Sequence, residues 1–485
     1  MKLRVAVVGF LALVCATGSS GAEVGRLDVP ARLKVVSYYR ADAGWTAFWR
    51  NWRPERVAAD LDRVASLHAN TVRAIVQPAA FGYPGVDPVY AGRLREFVDL
   101  AAARGLYVQL TLFDQWFEWS DLRGSRAWAG ALLTPYVADP RIAFVELRNE
   151  LAPKPEPIEW ARTMLPFVHR VLGDDTPVTV SVTGDDPVAA LVALKRGGVR
   201  PDFWDFHTFG GGGELARDLY ARAKAAVAPA PVWVGETGYA TTPALSGYGG
   251  IPRTASSQEA AQAHFLAAAA AAARREGLPP VGVWVLDDFV PSALPTPPAS
   301  NDDPELHYGL FRTDGSPKPV VRVVRAMFSG GRLGFNHGFE RSVVNESGGS
   351  VPAEWSLNGT GTVAADRAVA RHGHGSARMT AARSASLSIT PPGAACHGLG
   401  HAYLSVWARR ASAGGEVFAV VEWFGRHNES RGKRRSRLLT AAPGEWQRLR
   451  VKARAHGRAA YATVELVVNG ASGPVWFDDV SFALR

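Results

Sequence analysis

"IAFVELRNE" (residues 142–150), running into "LAPKPEP" (151–157), decides how this chain reads. Ile142, Ala143, Phe144, Val145 and Leu147 leave almost no polar alternation, which marks a strand covered on both faces, as in parallel sheets wrapped by helices. The strand ends in an amide and a carboxylate, Asn149 and Glu150, before prolines break its continuation. In helix-wrapped parallel sheets pockets open at the carboxyl ends of strands, so this pair stands where chemistry is done.

The same grammar repeats outward from about residue 33 to 329. Strand-like runs "LKVVSYY", "NTVRAIV", "LYVQLTL", "IAFVELR", "PVTVSVT", "FWDFH", "PVWVGE" and "VGVWVLD" alternate with amphipathic or Ala-rich segments. Among the latter are 54–68, with Pro54 at a helix start, and 256–276, with Ser256 or Ser257 as cap; a last helix is expected after "DGSPKP". Eight β/α units in succession predict a (β/α)8 TIM barrel, an α/β architecture. After "FSGGRLGF" the pattern becomes strands separated by Gly/Ser/Asn turns, which predicts an all-β sandwich of jelly-roll type. The expected division is 1–22, a signal peptide; 23–330, the catalytic barrel; and 331–485, the β-sandwich.

Lys2 and Arg4, the apolar run "VAVVGFLALV" and "SGA" before Glu23 give the first residues the form of a cleaved secretory leader. The chain is therefore expected to be secreted or periplasmic; Val14 before Cys15 disfavours lipoprotein processing. Cleavage removes Lys2 and Arg4 and brings the net charge from +9 to +7. Cys396 then stands alone, which excludes an internal disulfide. No later segment is apolar enough to cross a membrane, nothing resembles a nucleic-acid module, and a monomer is expected. "RGKRRSR" (431–437) reads as a solvated basic loop, with contact to an anionic surface as the alternative.

Strand seven, within "VWVGETGY" (232–239), ends in Glu236. Strands four and seven lie well across a barrel, so Glu150 and Glu236 can converge over its mouth; two carboxyls about 5 to 5.5 Å apart suit retaining glycoside cleavage. Either acid alone reads as an ordinary strand-end carboxylate. Together, "LRNE" (147–150) and "VGETG" (234–238) resemble the acid/base and nucleophile signatures of the large clan of retaining (β/α)8 glycoside hydrolases, nearest to family 5 with its cellulase and mannanase relatives. The resemblance implies Glu150 as general acid/base, Glu236 as nucleophile and Asn149 as a hydrogen-bond partner of the sugar 2-hydroxyl. It further implies that Arg73 in "NTVRAIV" holds Glu236 ionised, that His207 in "DFHTF" is the strand-six histidine, and that Trp284 in "VWVL" floors the sugar site. Such chemistry needs one carboxyl protonated near neutral pH and the other ionised. One departure is Phe209, where family members carry an aromatic hydroxyl two residues after the histidine; either Tyr239 or another loop supplies it, or the chain belongs to a different family of the clan.

Two loops are rich in tryptophan, "GWTAFWRNW" (44–52) with Trp45, Trp49 and Trp52, and "DQWFEWSD" (114–121) with Trp116 and Trp119. Indoles at a cleft rim stack on the apolar faces of sugar rings, and Trp49 and Trp116 are taken as candidates. The sandwich, opening on "GFERSVVNESGGSVPAEW" and closing on "VWFDDVSF", resembles jelly-roll carbohydrate-binding modules. The resemblance implies a structural calcium held by Glu340 and Asp478 or Asp479, the alternative being that these acids are exposed strand residues; the module either binds glycan or supports the barrel. Trp407, Trp446 and Trp476 are expected in its core. The expectation is thus an exported retaining β-glycoside hydrolase with no catalytic cofactor, cutting a β-linked glucan or mannan internally. The alternatives are an exo-acting β-glycosidase or transglycosylase, and a non-catalytic glycan-binding protein, against which intact Glu150 and Glu236 weigh.

Overall fold

A computed structural model describes residues 25–484 apart from 210–212, 243–254, 297, 299, 331–335, 341, 345–348, 353–354, 382, 390, 392–399, 425–429, 456–458 and 460. The secretory-leader reading falls on residues outside this set. Parallel strands β1 (Val35–Ser37), β2 (Thr71–Ile75), β3 (Tyr107–Thr111), β4 (Ile142–Glu146), β5 (Val178–Thr179 with Ser181–Val182), β6 (Trp204–Phe209) and β7 (Val232–Gly238) follow one another round the barrel. The eighth position is a bridge and not a ladder: Val283 pairs in parallel with Val36 on one side and Thr237 on the other. The approach there is close, since a Cβ on Gly282 would lie 2.0 Å from the Gly235 carbonyl oxygen.

Helices wrap the strands for the reasons their sequences suggest. Pro54 occupies the first turn of Pro54–Ser66, and Val57, Leu61 and Val64 form its buried stripe. The long helix starts at Ala255, so Ser256 and Ser257 lie inside its first turn and not at its cap. The last, Val320–Ser329, stops where Gly330 takes a left-handed φ of 75°. Within the barrel the apolar residues of β1–β7 other than Tyr107 and Phe209 are buried, yet so are Arg73, Gln109, Glu146, Asp205 and His207. Buried charges persist only when paired, and this polar interior is what the strand ends are built upon.

Past residue 341 the chain is antiparallel. One five-stranded sheet runs 356–359, 384–389, 461–469, 416–424, 430–435; the other runs 362–366, 376–380, 475–484, 401–410, 447–454. Leu387, Val421, Trp423 and Leu466 meet Met379, Leu404, Val406, Leu449 and Phe477 between them. Trp407, Trp446 and Trp476 are not in this core but half-exposed. The reason is phase: Leu404, Val406 and Ala408 turn inward along His401–Arg410, which sends Trp407 out. The basic run expected as a loop is a strand, Ser430–Arg435, paired antiparallel with Glu416–Phe424. No helix among the described residues is long and apolar enough to cross a membrane.

Candidate active site

Arg73, fully buried on β2, organises the mouth of the barrel. Its Nη1 donates to Glu236 Oε2, its Nη2 to Asn149 Oδ1 at 2.7 Å and to Glu146 Oε2 at 2.9 Å, and its Nε to Thr111 Oγ1 at 2.8 Å. Glu146, the last residue of β4, neutralises the guanidinium from the side away from the cleft. It accepts also from Thr111 Oγ1 at 2.6 Å, Gln109 Nε2 at 3.0 Å and Ser181 Oγ at 2.5 Å. Burial pushes its carboxyl up, but Arg73, His207 and these hydroxyls outweigh burial and leave it below its ordinary value.

Past Glu146 the chain turns across the mouth. Glu150 has a φ of 54°, a left-handed conformation that costs a non-glycine residue about 1 kcal/mol, and its N–H donates to Ser181 Oγ at 2.8 Å. Its Oε1 lies 3.0 Å from His207 Nδ1, and the same nitrogen lies 3.8 Å from Glu236 Oε1. Within the Glu150, His207 and Glu236 group the ligating atoms are all within 4.8 Å of one another. Burial raises the Glu150 carboxyl, but the His207 hydrogen bond, the charges of His207 and Arg73, and a Thr183 hydrogen bond together hold it below the usual range. The Glu150 side chain is 32% exposed, which leaves a covering ligand room to strengthen the burial effect.

The structure brings Arg73, Asn149, Glu150, His207 and Glu236 together. Asn149 is fixed at both ends of its amide, accepting from Arg73 and donating one N–H to Asp114 Oδ1 at 3.1 Å, which leaves the second N–H for the cleft. Asp114 in turn accepts from Gln77 Nε2 at 3.1 Å, which also donates to Tyr39 Oη at 2.7 Å. Asp205 lies behind His207; burial, chiefly, and the Glu146 charge push its carboxyl well above the ordinary range, and Gly235 N–H donates to Oδ1 at 2.8 Å. Glu146, Asp205 and Asp114 escaped the sequence reading, although an acid inside so apolar a strand as "IAFVEL" signals a buried cationic partner.

Trp284 sits at the mouth with its indole N–H donating to Glu305 Oε1 at 3.1 Å. Tyr39 stands edge-on to it at 6.2 Å and Trp45 at 6.3 Å, making an aromatic wall. Glu305 also escaped the sequence reading: burial, with the Asp303 and Glu150 charges, raises it to about 7 against the Trp284 hydrogen bond. Trp49 is a correction. It is wholly buried, donates to the Ile75 carbonyl at 2.8 Å and has no face to offer a ligand. Trp116 is half-buried against Tyr83, its ring 4.0 Å away centroid to centroid, and Trp119 packs edge-on to Trp160 at 5.4 Å. Tyr239 donates to Gln258 Oε1 at 3.0 Å, and Phe209 is faced by Tyr308 at 5.3 Å.

In the sandwich, Glu340 and Asp478 converge. Oδ1 of Asp478 and Oε1 of Glu340 each lie 3.9 Å from where a Cβ on Gly338 would be, and a Cβ on Gly373 would fall 1.9 Å from that Glu340 oxygen. Glu340 accepts from His374 N–H at 2.9 Å and Asp478 from Arg371 N–H at 2.7 Å, while Asp479 pairs with Arg371 at 2.8 Å. Carboxylate oxygens are suitable ligands for a hard cation, though here both groups already accept from backbone N–H donors.

No protein-family model and no curated protein matches the chain. Solved structures are. An exo-β-1,4-mannosidase from Opitutaceae bacterium strain TAV5 aligns over 61% of this chain and 59% of its own at 22% identity, with a TM-score of 0.49. GH5_18 from Streptomyces cattleya, solved with GlcNAc, aligns over 61% and 80% at 20% identity, TM-score 0.49. A family 39 glycoside hydrolase from Bacteroides cellulosilyticus WH2 aligns over 91% and 81% at 16% identity, TM-score 0.45. The chain thus spans less than two thirds of the mannosidase's length.

Proposed function

We propose that this protein is a retaining β-glycoside hydrolase working by double displacement. The observation that carries the reading is the approach of Glu150 and Glu236 to within 4.8 Å about His207. That spacing suits a nucleophile and an acid/base on one glycosidic bond; inversion needs about 6.5 to 9.5 Å to admit a water. Glu236, tied to Arg73, attacks the anomeric carbon. Glu150 gives a proton to the departing oxygen, then takes one from the water that frees the glycosyl-enzyme. A sugar over Glu150 removes its remaining water and favours the protonated form. Once Glu236 is esterified its charge is gone, and Glu150 ionises more readily as a base.

The free N–H of Asn149 is assigned to the sugar 2-hydroxyl, and Trp284 to the face of the reacting sugar. The substrate class is a β-linked glucan or mannan, attacked internally. Turnover on a panel of aryl β-glycosides, followed by sizing of products from polysaccharides, tests the reading. A first product with inverted anomeric configuration would refute retention. Single sugars released from chain ends, or products longer than the substrate, would move the protein to an exo-acting enzyme or a transglycosylase. No turnover with intact fold would make it a glycan-binding protein. The chain is taken to be exported, and Glu340 and Asp478 to hold a structural calcium; added calcium should then raise the sandwich's melting temperature and a chelator reverse it.

A further inference from the structure

Charge is unevenly divided along this chain. Residues 331–485 hold 20 Lys and Arg against 11 Asp and Glu, which is the whole formal excess of +9. Within them, 430–437 and 447–454 contain nine basic residues and no acid. The strands Ser430–Arg435 and Gln447–Arg454 are edge strands of the two opposed sheets, and they lie beside each other on one flank of the sandwich. Along the second, Leu449, Val451 and Ala453 enter the core while Arg448, Arg450, Lys452 and Arg454 point out as an exposed row about 20 Å long.

Lys433 stands opposite Glu422 and draws the Glu465 carboxyl down against burial, but Arg450, Lys452 and Arg454 have no carboxylate opposite them on the neighbouring strand. Cations about 7 Å apart repel by roughly 0.6 kcal/mol per pair even in water, so the row gives folding nothing. A basic edge does prevent sheets from pairing edge to edge, but a charge or two suffices for that. Edge protection also leaves unexplained what stands behind the row. On the neighbouring strand His401, Tyr403, Ser405 and Trp407 are registered opposite Arg454, Lys452, Arg450 and Arg448, on the same outward face. Tyr403 is 39% exposed with Lys452 Nζ 5.5 Å from its ring centre, and Trp476, one strand further, carries Arg409 at 5.7 Å.

We propose that this basic and aromatic flank is a docking surface for a carboxylated polysaccharide. Guanidinium forks match carboxylates, and the rings behind them offer planes for pyranose faces. The choice of a sugar polymer over other polyanions rests on the hydrolase reading, since a glycan held on the sandwich raises its concentration at the barrel.

The test uses the full chain, titrated with alginate, neutral mannan, single-stranded DNA and phosphatidylglycerol vesicles at several salt concentrations. Alginate is expected to bind most tightly, more weakly as salt rises. The combined Arg450→Glu, Lys452→Glu, Arg454→Glu variant should lose at least tenfold in affinity. Tyr403→Ala should lose several-fold with the salt slope unchanged, because stacking releases no counterions. Turnover of an aryl glycoside should be unaltered in both variants, so absent turnover in wild type sinks the hydrolase reading while alginate binding separately decides this one. No alginate binding at low salt, DNA or vesicles bound as tightly as alginate, or a silent Tyr403→Ala would each overturn the proposal.

Discussion

Glu236 is tied to a buried arginine while Glu150 faces a histidine and the solvent, so the two should fail differently when removed. Glu236→Ala cannot form a glycosyl-enzyme and should be nearly inert with any leaving group. Glu150→Ala should still be glycosylated by an aryl glycoside whose leaving group needs no proton, giving a burst and then a stall. Azide, which needs no base, should rescue Glu150→Ala to the β-glycosyl azide and Glu236→Ala, if at all, to the α anomer. The same anomer from both would refute the assignment. Glu305 has a pH signature of its own. Its folded-state value of about 7 exceeds the ordinary 4.5, so the folded chain holds that proton more tightly than the unfolded chain. Stability from this group is present below about 4.5 and is lost as pH rises through about 7, by at most about 3 kcal/mol. Glu305→Gln should flatten that fall in denaturant titrations; an unchanged pH slope would refute it. Residues at strand ends, such as Glu150 and Glu236, were legible because the barrel pattern says where to look. Glu146 and Glu305 were not, because their meaning comes from Arg73 and Trp284, distant in sequence.

Elements depend on pairings that no local pattern reveals. Helix Pro54–Ser66 is fastened to the stretch after Val283 by Arg63, whose Nη1 and Nη2 donate to the two oxygens of Asp287 at 2.5 and 2.6 Å, with Asp60 accepting at 2.6 Å. Asp287 is buried, and its carboxyl is pushed up to about 6 by burial against Arg63's pull, with the Asp60 and Asp288 charges adding to the rise. Removing one partner leaves a charge without compensation, so Arg63→Ala should cost about 3 to 5 kcal/mol in denaturant unfolding. Arg63→Met with Asp287→Asn should recover most of it; equal losses in both would show that packing and not charge is at stake. The eight strand-like runs were legible because buried parallel strands are almost continuously apolar. That the eighth becomes a bridge was not, since it depends on Gly282 meeting Gly235 of the adjacent strand. In the sandwich the alternation "HAYLSVWA" was readable, and its phase already placed Trp407 with the exposed set. Phase, and not aromatic character, decides the exposure of Trp407.

At the scale of the molecule, two hydrophobic cores are separately closed. The barrel's largest core ends at Phe328, and the sandwich's begins at Phe339 with no residue in common. Every side chain gathered about Glu150 and Glu236 lies before Gly330, which itself caps the last barrel helix. A chain ending at Gly330 should therefore keep its kcat and KM on a small aryl glycoside. It should also lose the net positive charge, since the excess of +9 belongs to residues 331–485. On a neutral polysaccharide the shortened chain should match the full one, whereas its apparent Kd for a carboxylated polymer should rise and cease to depend on salt. Salt dependence surviving in the shortened chain would place the anion contact on the barrel. A folded but inactive shortened chain would show that the sandwich helps to hold the strand ends in place, and that the closed cores do not work as separate units.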